Sequence, residues 1–366
     1  MRKGFLYSIT LILGLYIPVF AQGEKMQINR ANPSKEAEAN AAKNPFGLVY
    51  EGAITKNEKG KVNIKSVTYK SRGLKIAANL YLPSDFNPQN KIPAIIVAHP
   101  NGGVKEQVAG LYAQKLAEAG YLALAFDSAY QGASEGFPRN VDTPQNRTED
   151  ISAAVDYLLK VQGVDSNRIG ILGICGGGGY TLNAVKSDKR IKAVATLSMF
   201  NSGLVRREGF LGSEKSSIQE RLKNASEART KEVIDGKVNY MGSVPKKLSE
   251  EELAKIPTDL YREGMIYYGD THAHPNSTFV YTASSLLDLM RFDVLDQIEL
   301  INQPLLMLVG DKADTAYMSE EAYSRIGSKD KKYYKLKNAT HIQTYYKKEA
   351  VHEALEELKR FYGKSL

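Results

Sequence analysis

The chain is poor in cysteine, has no tryptophan and does not concentrate its charge in any one stretch. Cys175 is the one cysteine among 366 residues, so an internal disulfide is excluded and its thiol is a candidate reactive group. The 49 basic and 41 acidic residues leave a net charge of +8 without the basic stripe of a nucleic-acid-binding protein, so we expect no nucleic-acid partner. With 43% hydrophobic residues, the chain can bury a globular core.

The longest apolar run lies at the N terminus. Arg2 and Lys3 precede an apolar stretch over residues 5–20, which is shorter than the roughly 20 residues that a membrane span needs. The pattern predicts a cleaved signal peptide over residues 1–21 and a secreted or periplasmic protein with no membrane contact after cleavage; an uncleaved anchor is the alternative. Residues 22–60 are polar, and we interpret them as a loosely held extension.

From residue 61 onward, strand-like and helical patterns alternate. Two segments joined by a Ser-Arg-Gly turn predict a hairpin, and the apolar runs that follow alternate with amphipathic helices. This alternation predicts an α/β fold with a mostly parallel central sheet and helices on both faces. From about residue 201 to 302 the alternation stops, so we expect a helical cap inserted into one domain over residues 61–366. The predicted strands are residues 62–70, 74–83, 92–98, 121–126, 168–172, 191–197, 304–309 and 333–337.

The sequence GICGGGGY, residues 173–180, directly follows a predicted strand. It has the GxSxG spacing of a nucleophile elbow, with Cys175 in the serine position. Gly173 and Gly177 have no Cβ, which lets the strand and the following helix approach closely. The N terminus of that helix would stabilise a thiolate. The pattern predicts a nucleophilic Cys175, and a buried inert cysteine is the alternative.

An acid and a histidine follow Cys175 in the order that α/β hydrolases use. Asp314 lies beyond the strand over residues 304–309, and His341 lies beyond the last strand. Carboxyl ends of strands are where open α/β sheets place their sites. Asp311 is the rival acid, and His99 is expected to order its neighbouring loop rather than to act as the base.

The loop HPNGGVKEQ, residues 99–107, is the expected second side of the site. In this architecture one oxyanion donor is the N–H of the residue after the nucleophile, here Gly176, and the other comes from this loop, at Asn101 or Gly102. We interpret Glu106, in the same loop, as a solvent-exposed glutamate at the start of a helix rather than as a group that acts on the thiol.

The segment DTHAH, residues 270–274, superficially suggests a metal site. Three adjacent groups without a distant fourth are more often polar loop residues, so we predict no metal and no other cofactor. Five aromatic residues of the cap are candidates to line an acyl or aryl pocket, namely Tyr261, Tyr267, Tyr268, Phe279 and Tyr281.

Together these motifs resemble the dienelactone-hydrolase-related, esterase-like branch of the alpha/beta-hydrolase superfamily that carries a cysteine elbow. The resemblance covers about residues 62–362 and rests on six stretches, namely HPNGGVKEQ, FDSAYQGASEG at 126–136, GICGGGGY, YYGDTHAHPN at 267–276, GDKADT at 310–315 and ATH at 339–341. It implies the alpha/beta-hydrolase fold and a triad of Cys175, His341 and Asp314. It also implies an oxyanion hole of Gly176, Asn101 and Gly102.

The resulting hypothesis is a secreted hydrolase that cleaves a small-molecule carboxylic ester or thioester through an acyl-enzyme. An acyltransferase or peptidase on the same fold is one alternative, and a non-catalytic binding protein is another. The natural acyl group and the oligomeric state are left open.

Overall fold

The computed structural model describes residues 34–366, and a twisted eight-stranded sheet forms its centre. The strand order is β1-β2-β4-β3-β5-β6-β9-β10; β1 and β2 pair antiparallel, as do β2 and β4, and the remaining neighbours are parallel. The predicted mostly parallel sheet is therefore confirmed. The strands are β1 Asn63–Ser71, β2 Leu74–Leu82, β3 Ile92–Ala98, β4 Leu122–Phe126, β5 Val164–Ile174, β6 Ala193–Leu197, β7 Tyr240–Met241, β8 Tyr281–Thr282, β9 Leu305–Gly310 and β10 Lys331–Leu336.

Helices connect the parallel strands and cover the sheet. Helix α2 packs with α12, and α3 packs with α4, each pair also contacting the sheet. The helices are α1 Lys35–Ala42, α2 Val108–Glu118, α3 Pro144–Leu158, α4 Gly176–Val185, α5 Ser202–Glu208, α6 Ile218–Asp235, α7 Glu250–Ala254, α8 Asp259–Ile266, α9 Leu286–Leu289, α10 Ala316–Arg325, α11 Gln343–Tyr346 and α12 Lys348–Ser365. In the described part of the chain no helix is both long and apolar enough to cross a bilayer.

The order of elements follows from local sequence patterns. The apolar runs of β3 and β4 become central strands because both of their faces are covered, and Ile95, Ile96 and Leu124 are fully buried. The β1–β2 hairpin closes on Arg72 and Gly73, both with positive φ, as a two-residue hairpin turn requires.

The segment between β6 and β9 forms the cap. It contains α5 to α9 and has a small apolar core of its own, in which α6 and α9 meet. Strands β7 and β8, which the sequence did not predict, pair within it. A π-helical turn, Tyr267–Thr271, continues α8 toward the sheet.

The N-terminal extension packs against the domain, so the expectation of a loosely held segment is wrong from residue 34 onward. Leu48, Val49 and Tyr50 are buried, and the Tyr50 hydroxyl donates to Gln114 Oε1 at 3.1 Å. Apolar side chains within this polar stretch supply the contact. The predicted signal peptide, residues 1–21, lies outside the described residues.

Candidate active site

Cys175 occupies a sharp turn between β5 and α4. Its backbone has φ 53° and ψ −122°, a conformation that costs a residue other than glycine about 1–3 kcal/mol. Backbone hydrogen bonds hold this turn: the Cys175 N–H donates to Leu197 O at 2.9 Å, and its carbonyl accepts from the Gly178 and Phe200 N–H groups. The strain is therefore sustained by the surrounding sheet, as in a nucleophile elbow.

The two flanking glycines leave no room for a side chain at either position. A Cβ on Gly177 would lie 2.5 Å from the carbonyl oxygens of Ala98 and His99, and one on Gly173 would lie 2.5 Å from Thr181 Oγ1. The first of these contacts is with backbone, which cannot rotate away. Any larger residue at 177 must therefore push α4 off strand β3.

Two backbone N–H groups converge on the Cys175 sulfur. They belong to Gly176 and Asn101, two of the three predicted oxyanion-hole residues. Burial raises the pKa of the Cys175 thiol, while hydrogen bonds from the Tyr345 hydroxyl and these N–H groups act in the opposite direction. The thiol is therefore protonated at neutral pH and needs a base.

Gly102, the third predicted oxyanion-hole residue, contacts the cap. Its carbonyl accepts from Ser277 Oγ at 2.6 Å and from the Thr278 N–H at 3.1 Å. With φ +70°, a Cβ here would lie 2.7 Å from the Phe279 ring. These contacts fix the loop beneath the cap, and a role for the Gly102 N–H stays a prediction.

His341 is fully buried close to the elbow, and both of its ring nitrogens are hydrogen-bonded. Thr315 Oγ1 lies 2.6 Å from Nδ1, and the Tyr345 hydroxyl lies 2.8 Å from Nε2. Burial lowers the pKa of His341 to about 3. The ring is therefore neutral at neutral pH, with one of its two nitrogens unprotonated.

The predicted acid, Asp314, is not the hydrogen-bond partner of His341 in the described residues. Its Oδ2 accepts from the Leu260 N–H at 3.0 Å, at the start of cap helix α8, and burial raises the pKa of this carboxyl despite that hydrogen bond. Asp311, the rival, is exposed, and its Oδ1 accepts from the Ala339 N–H at 3.2 Å. Thr315 takes the position beside the ring that the sequence analysis gave to Asp314.

Two tyrosines that the sequence analysis did not place at the nucleophile surround it. Tyr345 is hydrogen-bonded to His341, it lies close enough to the Cys175 thiol to lower the pKa of that thiol, and it is fully buried. Tyr268, from the π-helical turn of the cap, is buried near Tyr345 and Cys175, and its hydroxyl has no hydrogen-bond partner among the described residues. The spacing of four residues between His341 and Tyr345 is the signal that could have found the first tyrosine.

Three further histidines, His99, His272 and His274, make contacts that hold local structure. His99 Nδ1 lies 2.7 Å from Pro100 O, and its Nε2 accepts from the Ser128 N–H at 3.1 Å, so it orders this loop as expected. His272 stacks on Tyr267, and the His274 Nδ1 accepts from the Asn276 N–H at 3.1 Å. Across residues 34–366, no three His, Cys, Asp or Glu side chains are grouped in a way that could hold a metal ion.

Glu106 is buried rather than solvated, so the sequence interpretation of this residue is wrong. Lys105 Nζ lies 2.5 Å from Glu106 Oε1 and 2.8 Å from Asp127 Oδ2, which makes a buried cluster of one cation and two carboxylates. Burial raises the pKa of Glu106 despite the attraction of Lys105. For Asp127, burial is outweighed by the ion pair and by N–H donors, which hold its pKa below the ordinary value.

Known proteins share this architecture. The sequence model of the dienelactone hydrolase family matches residues 76–200, which include the elbow. The chain is 38% identical over 296 residues to the uncharacterized protein YcjY of Escherichia coli (strain K12), covering 80% of this chain and 95% of YcjY. It is 26% identical over 255 residues to the thiohydrolase aneE of Aspergillus aculeatus, covering 68% of this chain and 76% of that protein. The crystal structure of the hypothetical protein PA2218 from Pseudomonas aeruginosa superposes with a TM-score of 0.77 at 33% identity, covering 86% of this chain and 99% of that one.

Proposed function

The chain belongs to the dienelactone hydrolase family and is a hydrolase acting on ester bonds, and from this premise we propose that it works through Cys175 as nucleophile and His341 as base. The observation that carries the proposal is the strained backbone of Cys175 in the turn between β5 and α4, where the Gly176 and Asn101 N–H groups lie close enough to lower the pKa of the thiol. Donors preorganised around the point of attack are the usual largest contribution to acyl-transfer catalysis.

The reaction proceeds by acyl transfer in two halves. The Cys175 sulfur attacks the carbonyl carbon as its proton passes to His341, and the oxyanion accepts hydrogen bonds from Gly176 and Asn101. The C–O or C–S bond to the leaving group breaks, and the His341 proton goes to the leaving oxygen or sulfur. Water, deprotonated by His341, then cleaves the acyl-enzyme and restores the thiol.

The substrate class in this proposal is a small ester or thioester with an apolar acyl or aryl group. The nucleophile is 8% exposed under a cap whose Tyr268 and Phe279 rings meet edge to face at 5.0 Å, so the acyl group enters an aromatic environment. The thiohydrolase among the relatives supports including thioesters. Thr315 orients the base in this proposal, and Asp314 contributes only through its contact with the cap.

The proposal includes export, on the evidence of the first 21 residues. Mass spectrometry of the protein recovered from its native cell envelope or medium tests this. We expect an N terminus at or near residue 22, and a mature chain that still begins at Met1 would contradict it.

The test of the function uses short acyl p-nitrophenyl esters and the matching acyl thioesters with mature protein. We expect Cys175→Ala to lose at least about a hundredfold in kcat, with an unchanged urea unfolding midpoint. Cys175→Ser, which keeps a smaller nucleophile in place, separates loss of the nucleophile from loss of packing. Equal activity of wild type and Cys175→Ala would make the cysteine structural and refute the proposal.

A further inference from the structure

The hydroxyl of Tyr345 lies between the two groups that the proposed reaction must connect. It is 2.8 Å from His341 Nε2, and it lies close enough to the Cys175 thiol to lower the pKa of that thiol. We propose that Tyr345 is a catalytic residue that relays the proton from Cys175 to His341 during attack on the substrate. The inference rests on the proposed function for its role in turnover.

The relay requires hydrogen bonds that run in one direction along this chain of groups. With the Nδ1–H of the neutral ring donating to Thr315 Oγ1 at 2.6 Å, Nε2 is left as the acceptor of the Tyr345 O–H. In the proposed relay the tyrosine oxygen accepts the thiol proton, and after the transfer its new O–H donates to the thiolate, which is the interaction that lowers the Cys175 pKa. The relay therefore requires the tautomer with its proton on Nδ1, which Thr315 Oγ1 can accept, and this tautomer gives the direction in which the proton moves.

The surroundings favour a side-chain relay over a water molecule. His341 and Tyr345 are almost completely buried, and Phe200 packs edge-on against the histidine ring at 6.4 Å between centroids. Tyr268 closes the cap side, where its hydroxyl lies near Tyr345 and would stand 3.5 Å from a Cβ placed on Gly103. A hydroxyl fixed by packing on all sides performs the transfer without solvent reorganisation.

The step balances without any co-reactant. The S–H bond of Cys175 breaks as its proton bonds to the Tyr345 oxygen, and the original Tyr345 proton leaves that oxygen for His341 Nε2. The electron pair left on sulfur forms the bond to the carbonyl carbon. Tyr345 ends the step neutral, and His341 ends it as an imidazolium that returns the proton to the leaving group.

The test is the rate at which iodoacetamide alkylates the thiol, because Cys175 is the one cysteine in the chain and the label reports on it alone. The variants are Tyr345→Phe, His341→Gln and the double variant. Tyr346→Phe removes a neighbouring, partly exposed hydroxyl, and Tyr112→Phe removes a fully buried one that donates to Thr344 O at 2.8 Å. These two controls measure the general effect of losing a tyrosine hydroxyl.

We expect Tyr345→Phe and His341→Gln each to slow alkylation at pH 7 by about a hundredfold, at the low end of general-base contributions. The double variant should be no slower than the slower single variant, because both remove the same pathway. Both controls should stay within about twofold of wild type. Alkylation of Tyr345→Phe at the wild-type rate or faster would overturn the relay and mean that the hydroxyl only blocks access to the thiol. Losses that multiply in the double variant would also overturn the relay.

A second measurement needs no variant. A plot of the wild-type alkylation rate against the deuterium fraction of the solvent should curve downward, because two protons move together, and a straight line would contradict the relay.

Neither measurement uses an ester. If wild type alkylates as expected but hydrolyses no ester or thioester, the relay stands and the proposed function fails; if esters are hydrolysed with Tyr345→Phe unimpaired, the function stands and the relay fails.

Discussion

Thr315→Val is the substitution that most directly tests how the base is oriented. Valine keeps the shape of threonine but removes the oxygen that lies 2.6 Å from His341 Nδ1. Nδ1 would then be left without its hydrogen-bond partner in a fully buried site, which costs about 1–3 kcal/mol. Because each 1.36 kcal/mol is tenfold in rate, kcat/KM should fall about 5- to 150-fold if the whole cost is borne by the reactive arrangement.

The assay is p-nitrophenyl ester hydrolysis, with urea unfolding as the check on folding. The matched control is the adjacent Asp314→Asn, which keeps a side-chain oxygen for the Leu260 N–H and should stay within about threefold of wild type. A loss of about a thousandfold or more in Asp314→Asn, with Thr315→Val near wild type, would refute this reasoning. It would make Asp314 the partner of His341 in the reacting enzyme, as the motif resemblance implies.

Three further predictions concern the framework of the site. Gly177→Ala should destabilise the fold by about 1–3 kcal/mol in urea unfolding, because the added Cβ would lie 2.5 Å from backbone atoms. The control Gly264→Ala, whose added Cβ would meet nothing within 4 Å, should be neutral or stabilising. Equal effects of the two substitutions would contradict the packing argument. Lys105→Met should lower the free energy of unfolding by about 3–5 kcal/mol, because it removes the cation that pairs with two buried carboxylates. The surface control Lys115→Met should lower it by less than about 1 kcal/mol. A small loss for Lys105→Met would mean that the carboxylates are not both charged. The pKa of His341 is about 3 in the folded chain and 6.5 in the unfolded chain. Below pH 6.5 the unfolded chain therefore binds a proton that the folded chain does not bind, so the free energy of unfolding falls as the pH falls. Between pH 7 and pH 5 this amounts to about 2 kcal/mol, which His341→Gln should abolish in unfolding measured at both pH values; the same pH dependence in both proteins would disprove it.

The family resemblance read from the motifs is confirmed, and so is the fold. Both depend on short-range patterns: apolar runs that form strands buried on two faces, a Ser-Arg-Gly turn, and glycines spaced around Cys175. The elbow could be read from five residues because its strain and its close contacts arise between β5 and the first turn of α4. The roles of Cys175 and His341 in turnover stay predictions until the variants are measured.

What the sequence could not reveal depends on contacts between distant segments. Asp314 and Thr315 are adjacent in the chain, and either could be expected to contact His341. In the folded chain Asp314 accepts a hydrogen bond from the Leu260 N–H of cap helix α8, and Thr315 contacts the histidine ring. Glu106 resembles a solvated helix start until folding brings Asp127 to the other side of Lys105.

The amino-acid order by itself therefore determined the sheet, the elbow and the position of a histidine beyond the last strand, since each is encoded within one element and its neighbour. Only the tertiary structure decided which groups touch that histidine and the thiol. A hydrogen bond requires its two atoms to be about 3 Å apart, and that distance is set by the packing of the cap and the C-terminal segment over the sheet. For this reason Tyr345 could be located between Cys175 and His341 only once the chain was folded.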